Sequence, residues 1–360
     1  MMPSMYILSS ACISPQNSLS GLSALNDPIY PETQLYYCQE PDFSLYINPV
    51  QIRRMSRALK IGYSAAIEAI QRAGPATIEA ILIGTGKGCM ADTELFLHSI
   101  REYHETALNA THFIHSTYNQ LNGMIALNKK ISCYNLTYVH RGFSFEHTLL
   151  DAALHFGEGL TASVLVGCFD EMTPDHFKVK KQWGYWKDEV ITGKELLRSR
   201  SIGTFAGEGA AFFVLSNARP DGSVVSIEDV LCLYHPDIGQ VEQEIDHLLR
   251  QHQLTRSDID VLISGENGNV NYRNDYEKIE SLFPNAQVTY FKHFCGEYDT
   301  AINFGLWAGC EILKEQYIPF TMMRQIQPAE KRPLQYALIY NNYFGKNQNI
   351  ILLKYHTDKV

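Results

Sequence analysis

A chain of 360 residues with a formal charge of −9, 45% hydrophobic residues and 19% charged residues can build a sizeable core and is too apolar for a disordered segment. The mild acidity argues against nucleic acid or an anionic membrane surface as the main partner, and no apolar run reaches the roughly 18 residues of a membrane-spanning helix. Eight cysteines stand singly, without a CxxC pair, as expected of reduced thiols in a cytoplasmic protein.

In chain order, Tyr6, Ile7 and Leu8 predict a short first strand, and residues 15–50, rich in Pro, Asn, Tyr and Gln, predict a loop. The spacing of Ile52, Met55, Leu59, Tyr63, Ala66, Ile67 and Ile70 predicts a helix over 53–73, stopped by Gly74 and Pro75. A buried strand follows over 80–84, and a helix runs from Asp92. Then come a helix over 119–127, a strand near 132–139, a helix over 146–156, a strand over 163–167 and an apolar run over 212–216. The remainder repeats this logic. Strands are predicted over 224–234, 261–264, 287–290, 336–340 and 349–354, and helices over 241–251, 275–282 and 300–313. Alternating strands and helices imply an α/β architecture with covered sheets. The turn cluster at Arg219, Pro220, Asp221 and Gly222 divides it into halves 1–219 and 220–360.

Three local patterns have plainer readings than their functional ones. The run Gly84-Thr85-Gly86-Lys87-Gly88 lacks the GxxxxGK[ST] spacing of a phosphate loop and reads as a structural turn. His112 and His115 share a helical face, but the sequence supplies no neighbouring carboxylate or third ligand, so no metal is expected. Arg53, Arg54 and Arg57 read as a solvated or salt-bridged helix face before they read as a carrier-docking patch.

An ordered series of short motifs then points to one family. Arg53-Arg54-Met55-Ser56-Arg57, Ile83-Gly84-Thr85-Gly86, Val166 to Glu171, Gly207-Glu208-Gly209-Ala210-Ala211, Lys292 to Gly296, and Asn341 to Gly345 with Asn349 resemble stretches of β-ketoacyl synthases in family order. The resemblance implies a thiolase fold, two duplicated α/β halves in a five-layer αβαβα arrangement, normally dimeric and without a cofactor. In such enzymes a cysteine thiolate takes the acyl chain and two histidines stabilise an enolate.

That set is missing here. Alignment on Ala152, Ala153 and Gly159 puts Gly142 at the cysteine position, and a shift of two puts His140 there. Cys133 lies too far upstream and reads as a buried strand thiol. Ser144 matches a structural serine better than a substitute nucleophile. The first histidine falls on Glu266 or Asn267 and the second on Glu297, while Lys292 keeps the family lysine. Phe143, Phe344 and Asn349 are the expected pocket residues. If Glu266 and Glu297 meet, they form a two-carboxylate acid/base site.

The chain thus resembles divergent, chain-length-factor-like homologues of aryl polyene and flexirubin-type clusters. This implies a non-catalytic subunit of acyltransferase ancestry in fatty acid or polyketide-type biosynthesis. Its partner would be an active ketosynthase in a heterodimer, or a second copy in a homodimer, with acyl carrier protein as a further partner. Two alternatives stand beside it: a condensing enzyme or acyltransferase with altered chemistry, and a carrier-binding scaffold.

Overall fold

The computed structural model describes residues 2–106, 108–324 and 333–357. Ten strands form the main sheet. In the first half they are β1 (Met5–Ile13), β2 (Ala80–Gly84), β3 (Tyr134–Tyr138), β4 (Ser163–Asp170) and β5 (Gly209–Ser216). In the second they are β6 (Val224–Tyr234), β7 (Val261–Ser264), β8 (Gln287–Tyr290), β9 (Tyr336–Tyr343) and β10 (Asn347–His356).

The first five pair in the order β1-β5-β4-β2-β3, and the second five in the order β6-β10-β9-β7-β8. Each strand therefore has a counterpart five places later, with the same parallel and antiparallel neighbours. The halves join where Met5 and Tyr6 of β1 pair with Ile227 and Ser226 of β6.

The helices repeat in the same way: α1 (Arg57–Arg72), α2 (Gln120–Lys129) and α3 (Ser144–Gly157), then α4 (Ile238–Gln251), α5 (Val270–Ser281) and α6 (Ile302–Glu315). The central core takes side chains from α3, α6 and the inner faces of both half-sheets. A second cluster packs α1 and α2 on the outer face of the first half, and a third packs α4 and α5 on the outer face of the second. These are the five layers expected. Strands buried on both faces need continuous apolar runs, which is how Ala80–Gly84 and Gly209–Ser216 read.

Several element bounds differ from expectation for local reasons. β1 runs on to Ile13 because Ser9 to Ile13 pair with β5 while buried. The helix expected from Arg53 begins at Arg57, after a separate turn over Pro49–Ile52. β9 continues through Asn341 to Tyr343 because these residues pair with Asn349, Gln348 and Asn347. Cys133 is half-buried just before β3, not a buried strand thiol. Among the described residues no helix is long and apolar enough to cross a membrane.

Candidate functional site

The family-like motifs meet one another in space. Glu208 binds the Arg57 guanidinium at 2.6 Å and accepts the Cys38 backbone N–H at 2.9 Å, so two distant motifs are tied by one buried carboxylate. Asp170, at the end of β4, accepts from Thr85 Oγ1, the Gly86 N–H, and both the N–H and hydroxyl of Thr300 at 2.8–3.0 Å. Gly207 has no room for a side chain: a Cβ there would stand 1.9 Å from the Cys295 carbonyl oxygen. That close approach lets Gly207 N–H bond to Glu297 O at 3.1 Å and Glu297 N–H to Phe205 O at 2.8 Å.

Gly142 and His140, the two residues that the sequence offers for the nucleophile position, both lie in the turn that opens α3. Arg141 there has φ +51°, a left-handed conformation that costs an ordinary side chain energy and turns the backbone sharply into the helix. Ser144 holds the turn. Its hydroxyl accepts the His140 N–H at 2.8 Å and lies 2.9 Å from the carbonyls of both Thr85 and Arg141. The Asn349 side chain donates to the Gly142 carbonyl at 2.9 Å.

Gly142 itself is roofed by Tyr343: a Cβ on Gly142 would meet that ring at 2.8–3.0 Å. The Tyr343 hydroxyl donates to Asp299, which also pairs with Lys87 and lies 3.8 Å from Lys180 and 3.9 Å from Arg141. Burial alone would raise the Asp299 carboxyl; the ammoniums of Lys180 and Lys87 outweigh it and bring it to about 2. Lys180 in turn sits 5.2–5.9 Å from the ring centres of Tyr185, Trp186, Tyr343 and Phe344. Phe344 belongs to this aromatic box, and Phe143 packs against the rings of His140 and His147. His140 is exposed.

The residues that the sequence aligns with the two histidines are engaged as well. Glu297 and Lys292 are fully buried and form an ion pair, and Asn267 Nδ2 donates to the second Glu297 oxygen at 2.8 Å. Glu266 faces another way. It pairs with Arg324 and lies 3.3 Å from Arg273, which donates to the carbonyls of Leu197 and Ser199 at 3.0 and 2.8 Å. Asn267, not Glu266, thus stands opposite Glu297. Among the described residues no hydrogen bond or ion pair links the two carboxylates, so the anticipated Glu266–Glu297 acid/base pair is not formed. Two carboxylates each neutralised by their own cation have no shared proton to exchange.

Some of these side chains escaped sequence reasoning. Tyr343 lies within the Asn341–Gly345 motif, but nothing in its spacing aims it at Gly142. Glu146 on α3 is fully buried, and burial pushes its carboxyl up to about 8. His112 and His115 do have the carboxylate the sequence could not place: Asp92 lies 3.0 and 3.7 Å from their Nδ1 atoms. Both rings address one oxygen of that carboxylate, and no group of three metal-ligating side chains forms among the described residues. Lys87 of the glycine turn serves Asp299.

No family model and no curated protein matches the sequence. Solved structures match in fold. The ishigamide ketosynthase/chain length factor superposes with a TM-score of 0.77 at 14% identity, covering 98% of this chain and 99% of that one. A β-ketoacyl synthase from Burkholderia phymatum STM815 gives 0.77 at 12% identity, over 98% and 99%. A ketosynthase in complex with its chain length factor from Xenorhabdus doucetiae gives 0.76 at 13% identity, over 98% of each chain. The chain has the thiolase-type fold of ketosynthases and chain length factors from end to end.

Proposed function

We propose that this protein is a non-catalytic, chain-length-factor-type subunit that pairs with an active ketosynthase. One observation supports the reading: neither residue aligned with the nucleophile, Gly142 or His140, is a thiol, and a Cβ on Gly142 would run into the Tyr343 ring. A thioester needs a thiolate or an activated hydroxyl, and Ser144 Oγ is held by a backbone N–H and two carbonyls. The enolate-stabilising donors are replaced by a carboxylate locked to Lys292.

The association surface in this reading is the β3 edge. β3 ends the sheet, so one side of it has no neighbouring strand among the described residues, and Tyr134 and Leu136 are exposed with Tyr118 and Val139 nearby. A cavity of about 600 Å³ lined by Tyr118, Gly123, Leu136 and Val139 lies against it. An exposed apolar edge is a template for another strand, and natural proteins cover it. A ketosynthase of the same fold offers a matching edge. The partnership would be cytoplasmic, and carrier protein would dock on the assembled pair.

The test is co-expression with ketosynthases of intact active-site cysteine from the same source. Co-purification as a one-to-one complex, with condensing activity that needs both chains and a partner with intact cysteine, is the expected result. A stable homodimer that ignores every ketosynthase, or turnover by the isolated chain that disappears in Glu297→Gln, would overturn the reading.

A further inference from the structure

The chain carries 39 acidic residues, yet none falls between Glu105 and Glu146. At the chain's average of 39 in 360, the 40 positions 106–145 would hold about four. Their lysines and arginines are Lys129, Lys130 and Arg141, and β3 lies between them. The segment that ends the sheet is thus a positive island on a chain of net charge −9.

The fold sets these charges at the two ends of the edge strand. Lys129 closes α2, and Lys130 follows it in a left-handed conformation at φ +56° that turns the chain toward β3. Both are exposed, and neither is in an ion pair among the described residues. At the far end His140 and Arg141 follow β3, both exposed, and the one carboxylate paired with Arg141 among the described residues is the buried Asp299, at 3.9 Å. Between these ends the strand reads Tyr-Asn-Leu-Thr-Tyr, without a charge. The acids whose fields reach it are turned elsewhere. Asp151 is buried, 3.9 Å from His155, and acts on the Tyr134 and Tyr138 hydroxyls. Glu79, which acts on Cys133, is half-buried and accepts the Ala162 N–H at 2.6 Å.

Symmetry then limits what can pair here. A second copy related by a two-fold axis would set β3 antiparallel to itself. The lysine end of each strand would lie beside the arginine end of the other. With Leu136 at the centre, Lys130 of one copy falls opposite Gly142 of the other, with Arg141 next to it. Like charges opposed across a strand pair destabilise it, and here they are opposed twice, once at each end. An edge with acids at both ends meets the same groups as ion pairs and is drawn to them on encounter.

We propose that the β3 edge selects against a second copy of this chain and for a partner whose matching edge carries acidic residues at both ends. This rests on the pairing reading above and names the chemistry that the partner must have.

Sedimentation of the full-length chain and of a Lys129→Glu, Lys130→Glu double variant tests it, each alone and with ketosynthases of intact active-site cysteine from the same source. Both lysines are exposed, so the thermal midpoint should hold. The native chain alone should stay monomeric at about 10 µM. The double variant sets glutamates against Arg141 and should self-associate about tenfold or more tightly at about 50 mM salt, a gain that disappears at about 500 mM. The native chain's complex with a ketosynthase should weaken over the same rise in salt, and the double variant should bind that ketosynthase about tenfold or more weakly. No gain in self-association by the variant would overturn the proposal. So would a ketosynthase that binds both chains equally, which leaves the pairing reading standing. Self-association gained by the variant, with no ketosynthase bound by either chain, upholds the edge chemistry and overturns the pairing reading instead.

Discussion

β3 and β8 are the same strand in two copies of one topology, each at the outer end of its half-sheet, and they end differently. β3 leaves Tyr134, Asn135 and Leu136 exposed, whereas β8 buries Thr289 and Tyr290 and half-buries Gln287 and Val288. The interiors differ as well. The first half carries the turn that opens α3, with Gly142 under the Tyr343 ring. The second carries the buried Lys292–Glu297 ion pair. The duplicated topology thus leaves the outer strand of one half exposed and largely buries that of the other.

The largest expected effect comes from opening the closed half. Glu297→Gln leaves the Lys292 ammonium buried without its counter-charge and should cost about 3–5 kcal/mol in urea unfolding. Replacing both partners by apolar residues, Lys292→Met with Glu297→Leu, should recover most of that loss. If the single change costs under about 1 kcal/mol, the pair is not the lock described.

Next comes the contrast between the two edges. Leu136→Asp should leave the thermal midpoint of the chain nearly unchanged, because the side chain is exposed, yet weaken pairing about 100-fold or more, read by analytical ultracentrifugation. Val288→Asp on the equivalent strand should do the reverse, lowering the midpoint with about 2 kcal/mol of lost stability and leaving association intact. Identical behaviour of the two variants would erase the comparison.

Placing a thiol at Gly142 should not confer condensing activity. Gly142→Cys drives a side chain into the Tyr343 ring and should cost about 1–3 kcal/mol, with no acyl-enzyme detected by mass spectrometry. Paired with Tyr343→Ala, it should recover stability before any chemistry.

The last effect is a pH dependence, small over any one pH unit. Glu146 ionises near 4.5 in an unfolded chain and near 8 when buried. Between those values the unfolded chain has lost a proton that the folded chain keeps. Its contribution is therefore fully present below about pH 4.5 and is lost as pH rises toward 8, at no more than about 1.4 kcal/mol per pH unit. Glu146→Gln should flatten that slope in denaturation curves taken from pH 5 to 8; an unchanged slope would place the proton elsewhere.

Elements whose signal is local were legible in the chain. β6, β7 and β8 lie where alternation and apolar runs put them, and the central helices α3 and α6 begin and end within two residues of expectation. The absence of a cysteine between Cys133 and Cys168 is likewise a fact of sequence, and it holds in either register, Gly142 or His140. What only the tertiary structure decided is which side chains face one another: Asn267 and not Glu266 opposite Glu297, Tyr343 over Gly142, Arg324 on Glu266 and Lys87 on Asp299. These partners lie 30, 201, 58 and 212 positions apart. Periodicity says which face of an element is buried; the packing of one layer against another determines what each buried group meets.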